Sequence, residues 1–134
     1  MQGKGCGELE IMIKGIGIDL VDINKIRKAI KTRGGKFYSR VFSEIEVKII
    51  ENAKSRNENR GFEKAAGYFA AKEAFLKATG RGLFSVPLNK ITILNDESGQ
   101  PYIYLDSNIK KNISSAKVSI THDKGFACAV VAVQ

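Results

Sequence analysis

One carboxylate, Glu73, lies in the middle of the mostly apolar segment GYFAAKEAFLKATG, with Lys72 and Lys77 beside it. On a helical wheel of about 100° per residue, Glu73 falls within the apolar stripe of Phe62, Phe69 and Leu76, and along the chain it lies between the last two. A buried carboxylate without a partner is costly, so this residue needs a cation, a hydrogen-bond donor or a metal ion. An ion pair with Lys77, one turn further on, is the simplest partner. Metal ligation and acid–base chemistry are the functional alternatives.

A second carboxylate, Asp19, lies in the glycine-rich segment GIGID. It shares one face of a predicted strand with Gly15 and Gly17, whose missing side chains leave room for a ligand or another backbone. An aspartate in this position can hold a hard divalent cation, which prefers oxygen ligands. The structural alternative is that Asp19 caps the turn or helix that follows. The segment lacks the third glycine of a dinucleotide-binding fingerprint, and no P-loop sequence occurs in the chain.

The only histidine, His122, ends the predicted strand segment SITH before a turn. One histidine cannot anchor a histidine-based metal site, and no cysteine lies at a convincing spacing for a Cys/His pair. The residues alone therefore favour a structural hydrogen-bonding role for His122. Cys6 and Cys128 are the only cysteines, so the sequence offers neither a disulfide framework nor a thiol cluster for a metal.

The chain is basic, with 22 lysines and arginines against 14 acidic residues and a net charge of +8. This surplus favours an acidic partner: nucleic acid, anionic lipid, a phosphorylated cofactor or an acidic protein. The predicted helix 22–33 is strongly positive, and it is either a solvated face or a docking surface. A magnesium-dependent enzyme acting on a phosphorylated ligand, a metal-dependent phosphodiesterase and a nucleic-acid-binding module all fit these features.

The residue patterns predict a single domain of 12–134 with mixed helices and antiparallel strands. Helices are predicted over 22–33, 43–54 and 62–79, with a short helix near 107–114. Ser43 and Glu46 form an S-x-x-E capping box that opens the second of these helices. Strands are predicted over 13–21, 90–96, 102–105, 117–122 and 126–133, the last four pairing as two hairpins. The polar segment 54–61 is predicted as a loop, and the pair Gly34-Gly35 as a helix end. Because strands and helices do not alternate regularly, the fold class is α+β, an antiparallel sheet packed with a long buried helix.

The N-terminal residues 1–11 are rich in glycine and show no periodic pattern, so we expect a disordered extension there. Met12 stands just before the first periodic segment. No apolar run in the chain is long enough to cross a membrane, and the N-terminus lacks the apolar centre of a signal peptide. These features predict a cytoplasmic protein.

Three blocks occur in a specific order: GIGIDLVDINKI (15–26), AAGYFAAKEAFLKATGRG (65–82) and SITHDKGFACAVV (119–131). Together they resemble the holo-acyl-carrier-protein synthase family, the short bacterial 4′-phosphopantetheinyl transferases, and the hairpin DESGQPYI (96–103) also fits. The resemblance implies transfer of 4′-phosphopantetheine from coenzyme A to a serine of apo-acyl carrier protein, with release of 3′,5′-ADP, in fatty acid biosynthesis. It also implies a homotrimer with active sites between subunits.

The resemblance gives the awkward carboxylates a common role. Asp19 and Glu73 match the positions that hold Mg²⁺, which would also bind the pyrophosphate of coenzyme A. Lys77 matches the lysine that contacts the phosphates and stabilises charge on the leaving group. Asp19, Glu73 and Lys77 are thus the implied catalytic residues.

The implied cofactor-binding residues extend this set. Lys72 is either a secondary phosphate contact or a structural residue, and Gly80 and Gly82 would let backbone approach the cofactor. His122 matches a histidine near the nucleotide end of coenzyme A. Tyr68 departs from the family pattern, because many members have an arginine there.

The resemblance also identifies the acidic partner as the carrier protein, in place of nucleic acid or a membrane. Acyl carrier proteins are strongly acidic, and helix 22–33 matches the docking helix of the family. Exposed charges of this kind mainly raise association rates and fix orientation. The implied docking residues are Lys25, Arg27, Lys28 and Lys31.

Overall fold

A computed structural model describes residues 12–81, 85–110 and 112–134. Within them the helices are α1 (Ile23–Arg33), α2 (Gly35–Val41), α3 (Glu44–Arg56) and α4 (Glu58–Thr79), with a 3₁₀ helix at Leu88–Lys90. The strands are β1 (Gly15–Asp22), β2 (Thr92–Asn95), β3 (Pro101–Tyr104), β4 (Ala116–Asp123) and β5 (Phe126–Val133). The expected extension 1–11 and the predicted cofactor contact at Gly82 lie outside the described residues.

The strands form antiparallel pairs. One sheet has the order β1-β5-β4, and β2 pairs with β3 in a separate hairpin. Both predicted hairpins are therefore confirmed, as is the α+β class. No helix within the described parts of the chain is both long and apolar enough to span a bilayer.

The long helix α4 lies across the sheet and is buried along most of its length. Its contact with β1 is unusually close, because a Cβ atom at Gly15 would lie 1.8 Å from the carbonyl oxygen of Ala78. At Gly17 the corresponding distance to the carbonyl oxygen of Ala74 is 1.9 Å. No side chain fits at either position. The sequence predicted that these glycines leave room for a ligand or for another backbone. The described structure shows the backbone of α4 in that space.

The two faces of β1 have different surroundings. Gly17 and Val21 point toward α4 and are buried. Ile16, Ile18 and Leu20 point away from it and are 64%, 60% and 65% exposed. Since apolar side chains in a monomer usually avoid such exposure in a contiguous group, this sheet face is a candidate contact surface.

Between residues 34 and 61 the chain is more helical than predicted. The expected loop 54–61 is helical except at Asn57, which joins α3 to α4 and whose side chain accepts a hydrogen bond from Arg60 N at 3.3 Å. Its polar residues are mostly the exposed sides of two helices and a cap. The short helix α2 was not predicted. Gly34 ends α1 with φ 52°, as expected, but Gly35 already begins α2.

The prediction of a short helix near 107–114 was wrong. The described residues there, 107–110 and 112–114, form turns and irregular backbone. The Asp106 carboxylate accepts hydrogen bonds from the backbone nitrogens of Asn108 and Ile109 at 3.0 and 3.1 Å. This local bonding competes with a continuing helix, as aspartate often does.

Candidate active site

Asp19 and Lys77 meet where β1 crosses the C-terminal part of α4. The ammonium nitrogen of Lys77 donates to Asp19 Oδ1 at 3.1 Å and to the carbonyl oxygen of Ile18 at 2.9 Å. The Asp19 side chain is 16% exposed, whereas that of Lys77 is 55% exposed. The close packing at Gly17 brings these residues together although they lie far apart in the sequence.

Glu73 lies half-buried beside this pair. Burial raises the pKa of its carboxyl group, the negative charge of Asp19 raises it further, and Lys77 acts in the opposite direction. The charges of Asp19 and Glu73 therefore act on each other. The simple Glu73–Lys77 ion pair does not form, because the Lys77 ammonium bonds to Asp19. Among the described residues no salt-bridge partner lies within 4.0 Å of Glu73.

The donor set suits a hard divalent ion that keeps other ligands. Asp19 and Glu73 offer carboxylate oxygens, and their mutual repulsion would be relieved by a cation. Within the described residues no group of three or more histidine, cysteine, aspartate or glutamate side chains could hold a metal. Waters and ligand oxygens would have to complete the coordination, which is the usual situation for Mg²⁺.

Lys72, next to Glu73 in the sequence, faces the interior. Its ammonium nitrogen donates to Glu46 Oε1 at 2.5 Å and to the carbonyl oxygens of Val41 and Leu88 at 2.7 and 2.9 Å. Burial lowers the pKa of Lys72 to about 8, although Glu46 opposes that shift. With three acceptors already bound, this ammonium has no donor left for a phosphate. The predicted phosphate contact of Lys72 is therefore wrong, and its alternative role as a structural residue holds.

Glu46 does more than the sequence indicated. The predicted capping interaction is present, since Glu46 Oε1 accepts from Ser43 N at 2.8 Å. Its other oxygen accepts from Ile93 N at 2.6 Å, so the side chain also anchors β2. The S-x-x-E pattern identified the cap, but it carried no signal for the ion pair with Lys72.

A large cleft opens beside Glu73, with a volume of about 930 Å³. Its walls are largely apolar, including Phe37 and Phe69, and it also contains Arg33, Lys36 and Arg40. Arg33 ends the predicted basic helix 22–33, but Lys36 and Arg40 were not assigned to a site, because α2 itself was not predicted. A volume of this size suits a cofactor or an extended ligand arm.

His122 lies in a second cavity, of about 440 Å³, which is lined by Arg60, Lys64 and Tyr68 but not by Asp19 or Glu73. Its Nδ1 atom lies 3.8 Å from Glu63 Oε2. The chain therefore does not bring His122 to the carboxylate pair within one protomer.

Tyr68, at the position where the family pattern has arginine, is fixed in the second cavity. Its hydroxyl donates to Asn95 Oδ1 at 2.8 Å, and Lys64 Nζ lies 5.5 Å from the centre of its ring. Burial raises the pKa of Tyr68 to about 12, so the phenol is neutral near pH 7. The positive charges of this cavity come from its lysine and arginine side chains.

The remaining predicted residues occupy exposed positions. Gly80 ends α4 in the left-handed conformation, φ 69° and ψ 13°, where glycine is favoured. The predicted docking cations on α1 are exposed, while Ile26 and Ile30 form its buried face. Lys31 lies 3.6 Å from Glu58, and the guanidinium of Arg27 bonds to Asn24. The four cations predicted for docking, all exposed, are Lys25, Arg27, Lys28 and Lys31.

Comparison with known proteins decides the family. The model of the 4′-phosphopantetheinyl transferase superfamily matches residues 15–131. The chain belongs to this superfamily. The holo-[acyl-carrier-protein] synthase of Alkaliphilus oremlandii is 40% identical over 123 residues, covering 88% of this chain and 96% of that protein. The synthase of Clostridium tetani is 39% identical over 123 residues, covering 88% and 93%. The resemblance to the holo-acyl-carrier-protein synthase family is thus confirmed.

Solved structures of this transferase family share the fold. The Helicobacter pylori holo-[acyl-carrier-protein] synthase in complex with coenzyme A aligns with a TM-score of 0.76 at 35% identity, covering 89% of this chain and 99% of that one. The Bacillus anthracis synthase, in complex with CoA (3′,5′-ADP), gives 0.77 at 36%, covering 92% and 97%. The Neisseria meningitidis synthase gives 0.81 at 29% identity, covering 92% and 99%.

Proposed function

We propose that this transferase moves 4′-phosphopantetheine from coenzyme A to a serine hydroxyl of an apo-acyl carrier protein, with Mg²⁺ required. The serine oxygen forms a bond to the phosphorus that carries pantetheine. The bond from that phosphorus to the bridging oxygen breaks, 3′,5′-ADP leaves, and the serine proton is released. The observation that carries the proposal is the meeting of Asp19, Glu73 and Lys77 in a chain of this superfamily.

The roles of these residues follow from their chemistry. Asp19 and Glu73 would hold Mg²⁺, whose positive charge, when bound, polarises phosphate oxygens and orients the diphosphate. Lys77 contacts the phosphates and offsets negative charge that develops on the leaving group. The half-buried setting strengthens these interactions relative to open solvent.

An acidic carrier fits the charged surface around the cleft. Exposed cations on α1 were expected from the sequence, and Arg33, Lys36 and Arg40 extend the positive surface to the cleft that contains Glu73. A negatively charged carrier would be steered toward that opening. The preferred partner is therefore an acidic protein that presents a serine, not nucleic acid or a membrane.

A homotrimer with active sites between subunits is supported by two features. The outward face of β1 exposes Ile16, Ile18 and Leu20, and the adjacent strand adds Val130, which is 40% exposed. The cavity that contains His122 is separate from the cleft that contains Glu73 within one protomer. Adjacent subunits can supply the two cavities to one coenzyme A molecule. We expect this enzyme to serve fatty acid biosynthesis in the cytoplasm.

The direct test is a transfer assay. The protein is incubated with coenzyme A, Mg²⁺ and apo-acyl carrier protein, and the carrier is weighed by mass spectrometry. A gain of one phosphopantetheine group is expected. An unchanged carrier mass contradicts the proposal, and release of 3′,5′-ADP without a carrier would instead indicate a phosphodiesterase.

Variants connect the activity to the site. Glu73→Gln and Asp19→Asn are expected to remain folded, by circular dichroism, and to lose carrier modification. Chelation of divalent ions is expected to stop the wild-type reaction, and added Mg²⁺ to restore it. Normal magnesium-dependent turnover by Glu73→Gln would remove Glu73 from the proposed metal ligands.

A further inference from the structure

The Lys77 ammonium lies where it neutralises one of the two neighbouring carboxylates. It lies 3.1 Å from Asp19 Oδ1 and is held there by a second hydrogen bond, of 2.9 Å, to the carbonyl oxygen of Ile18. Glu73, in contrast, forms no salt bridge with a described residue. One carboxylate of the pair therefore already has a counter-charge, and the other does not.

The two partners of this ion pair differ in exposure to solvent. Asp19 is fixed on β1 and only 16% exposed, whereas the Lys77 side chain is 55% exposed at the end of a long aliphatic stem. An exposed lysine can exchange one anionic partner for another at little cost, because the net worth of such a pair is small. Asp19 must stay, but the ammonium group can move.

We propose that Lys77 is a displaceable counter-cation for Asp19. Its ammonium group competes with the divalent ion for Asp19 until a phosphate-bearing ligand draws the ammonium group away. This inference rests on the proposed function, since it assumes that Asp19 and Glu73 bind the ion. An ammonium and a divalent cation bound to the same Asp19 carboxylate would repel each other. Lys77 therefore weakens metal binding in the free protein.

Cooperative binding follows from this competition. When coenzyme A offers its diphosphate, the ammonium gains new oxygen partners and Asp19 becomes available. Metal and coenzyme A then each raise the affinity of the protein for the other, by the same factor. The lysine thus opposes an unproductive metal complex and favours the complex that also contains the phosphate substrate.

The sign of one measurement separates this role from simple phosphate binding. Mg²⁺ is titrated into the free protein by isothermal calorimetry, for the wild type and for Lys77→Met. We expect the variant to bind Mg²⁺ more tightly, by roughly two- to fivefold, which is the scale of one exposed ion pair. Lys48→Met removes the same net charge from an exposed position of α3 that lines neither cavity, and it is expected to leave the Mg²⁺ affinity unchanged.

A second measurement tests the coupling itself. The affinity for coenzyme A is determined with and without Mg²⁺, and the ratio of the two affinities is expected to be smaller in Lys77→Met than in the wild type. Equal or weaker Mg²⁺ binding by Lys77→Met overturns the inference but leaves the metal site standing. Absence of Mg²⁺ binding in both proteins, with and without coenzyme A, overturns the proposed metal role as well.

Discussion

The ammonium group of Lys72 lies 2.5 Å from Glu46 Oε1, and neither side chain is exposed to solvent. Through this pair, α4 is tied to α3, and further hydrogen bonds reach the end of α2, the 3₁₀ helix and β2. Several of these elements also form the cleft beside Glu73. A buried ion pair of this kind is weak evidence for extra stability, but the loss of one partner leaves the other charge unpaired.

Replacement of Lys72 by methionine is therefore expected to destabilise the protein. Glu46 would remain buried without its cation, at a cost of about 3–5 kcal/mol. The free energy of unfolding, measured by urea denaturation, checks this value. Lys48→Met, which changes an exposed lysine on α3, is the matched control and is expected to stay within about 0.5 kcal/mol of the wild type. Equal stability of the two variants would contradict the structural role.

The stability of the wild type is expected to rise with pH because of Lys72. Its folded pKa, about 8, lies below the ordinary value of 10.5. Between these values the unfolded state binds more protons than the folded state, so the free energy of unfolding increases with pH. Urea denaturation across pH 7.5–10.5 (roughly the titration window of Lys72) should show this rise relative to Lys72→Met. Parallel pH profiles would exclude it.

Gly17→Ala is expected to separate β1 from α4. The new methyl group would lie 1.9 Å from the carbonyl oxygen of Ala74, and backbone on both sides prevents a cheap adjustment. Overpacking of this severity costs about 3 kcal/mol or more, and it would also disturb the Asp19–Lys77 contact. Thermal denaturation measures the loss. Gly35→Ala provides the control, since its Cβ atom meets nothing within 4 Å. A similar melting temperature for both variants would be the contrary result.

Reversal of charge at Arg40 is expected to weaken productive binding of the carrier. Arg40 lines the cleft that contains Glu73, so Arg40→Glu would repel an acidic protein at the point of entry. We expect kcat/KM for the carrier to fall by roughly fivefold, mainly through KM, with a smaller difference at high salt. Lys48→Glu carries the same charge change on α3. If both variants lose activity equally, net charge is responsible and not the cleft.

A charge on the outward face of β1 is expected to break the proposed trimer. Ile18 is 60% exposed and pairs with Val130 across the sheet, so Ile18→Lys places an ammonium in the middle of the apolar face. Light scattering after size exclusion should show a trimer for the wild type and a monomer for the variant. Tyr104→Lys, at a residue of β3 that is 56% exposed, should remain a trimer. A monomeric wild type would contradict the assembly.

The sequence predicted the elements that carry strong periodic patterns. Strand β5, the two hairpins and the body of α4 lie where expected, because apolar spacing and turn residues act locally. Helix α2 was missed because it has only seven residues, too few for a period to emerge, and begins at the second residue of a glycine pair. The polar run around Asn57 was misread because solvated helix faces and loops share a composition.

The site shows a similar division. The glycines of β1 indicated that something must approach Asp19, but spacing alone did not identify α4. The assignment of Glu73 as a metal ligand and of Lys77 as a phosphate contact came from the family resemblance. Lys72 and Lys77 look alike in the sequence, yet one faces a buried carboxylate contributed 26 residues earlier and the other faces the strand. Which lysine is structural depends on tertiary contacts that no local pattern encodes.

Two different constraints on residue type alternate along strand β1. Odd-numbered positions, such as Gly17 and Asp19, must suit α4 and the chemistry beside it, whereas even-numbered positions such as Ile18 must suit whatever covers the sheet. Because side chains alternate, inserting one residue would move every following side chain of the strand to the opposite face. Among related sequences, the eight positions of β1 should therefore change at two different rates. Odd-numbered positions should accept very few residue types, whereas even-numbered positions should vary among apolar residues.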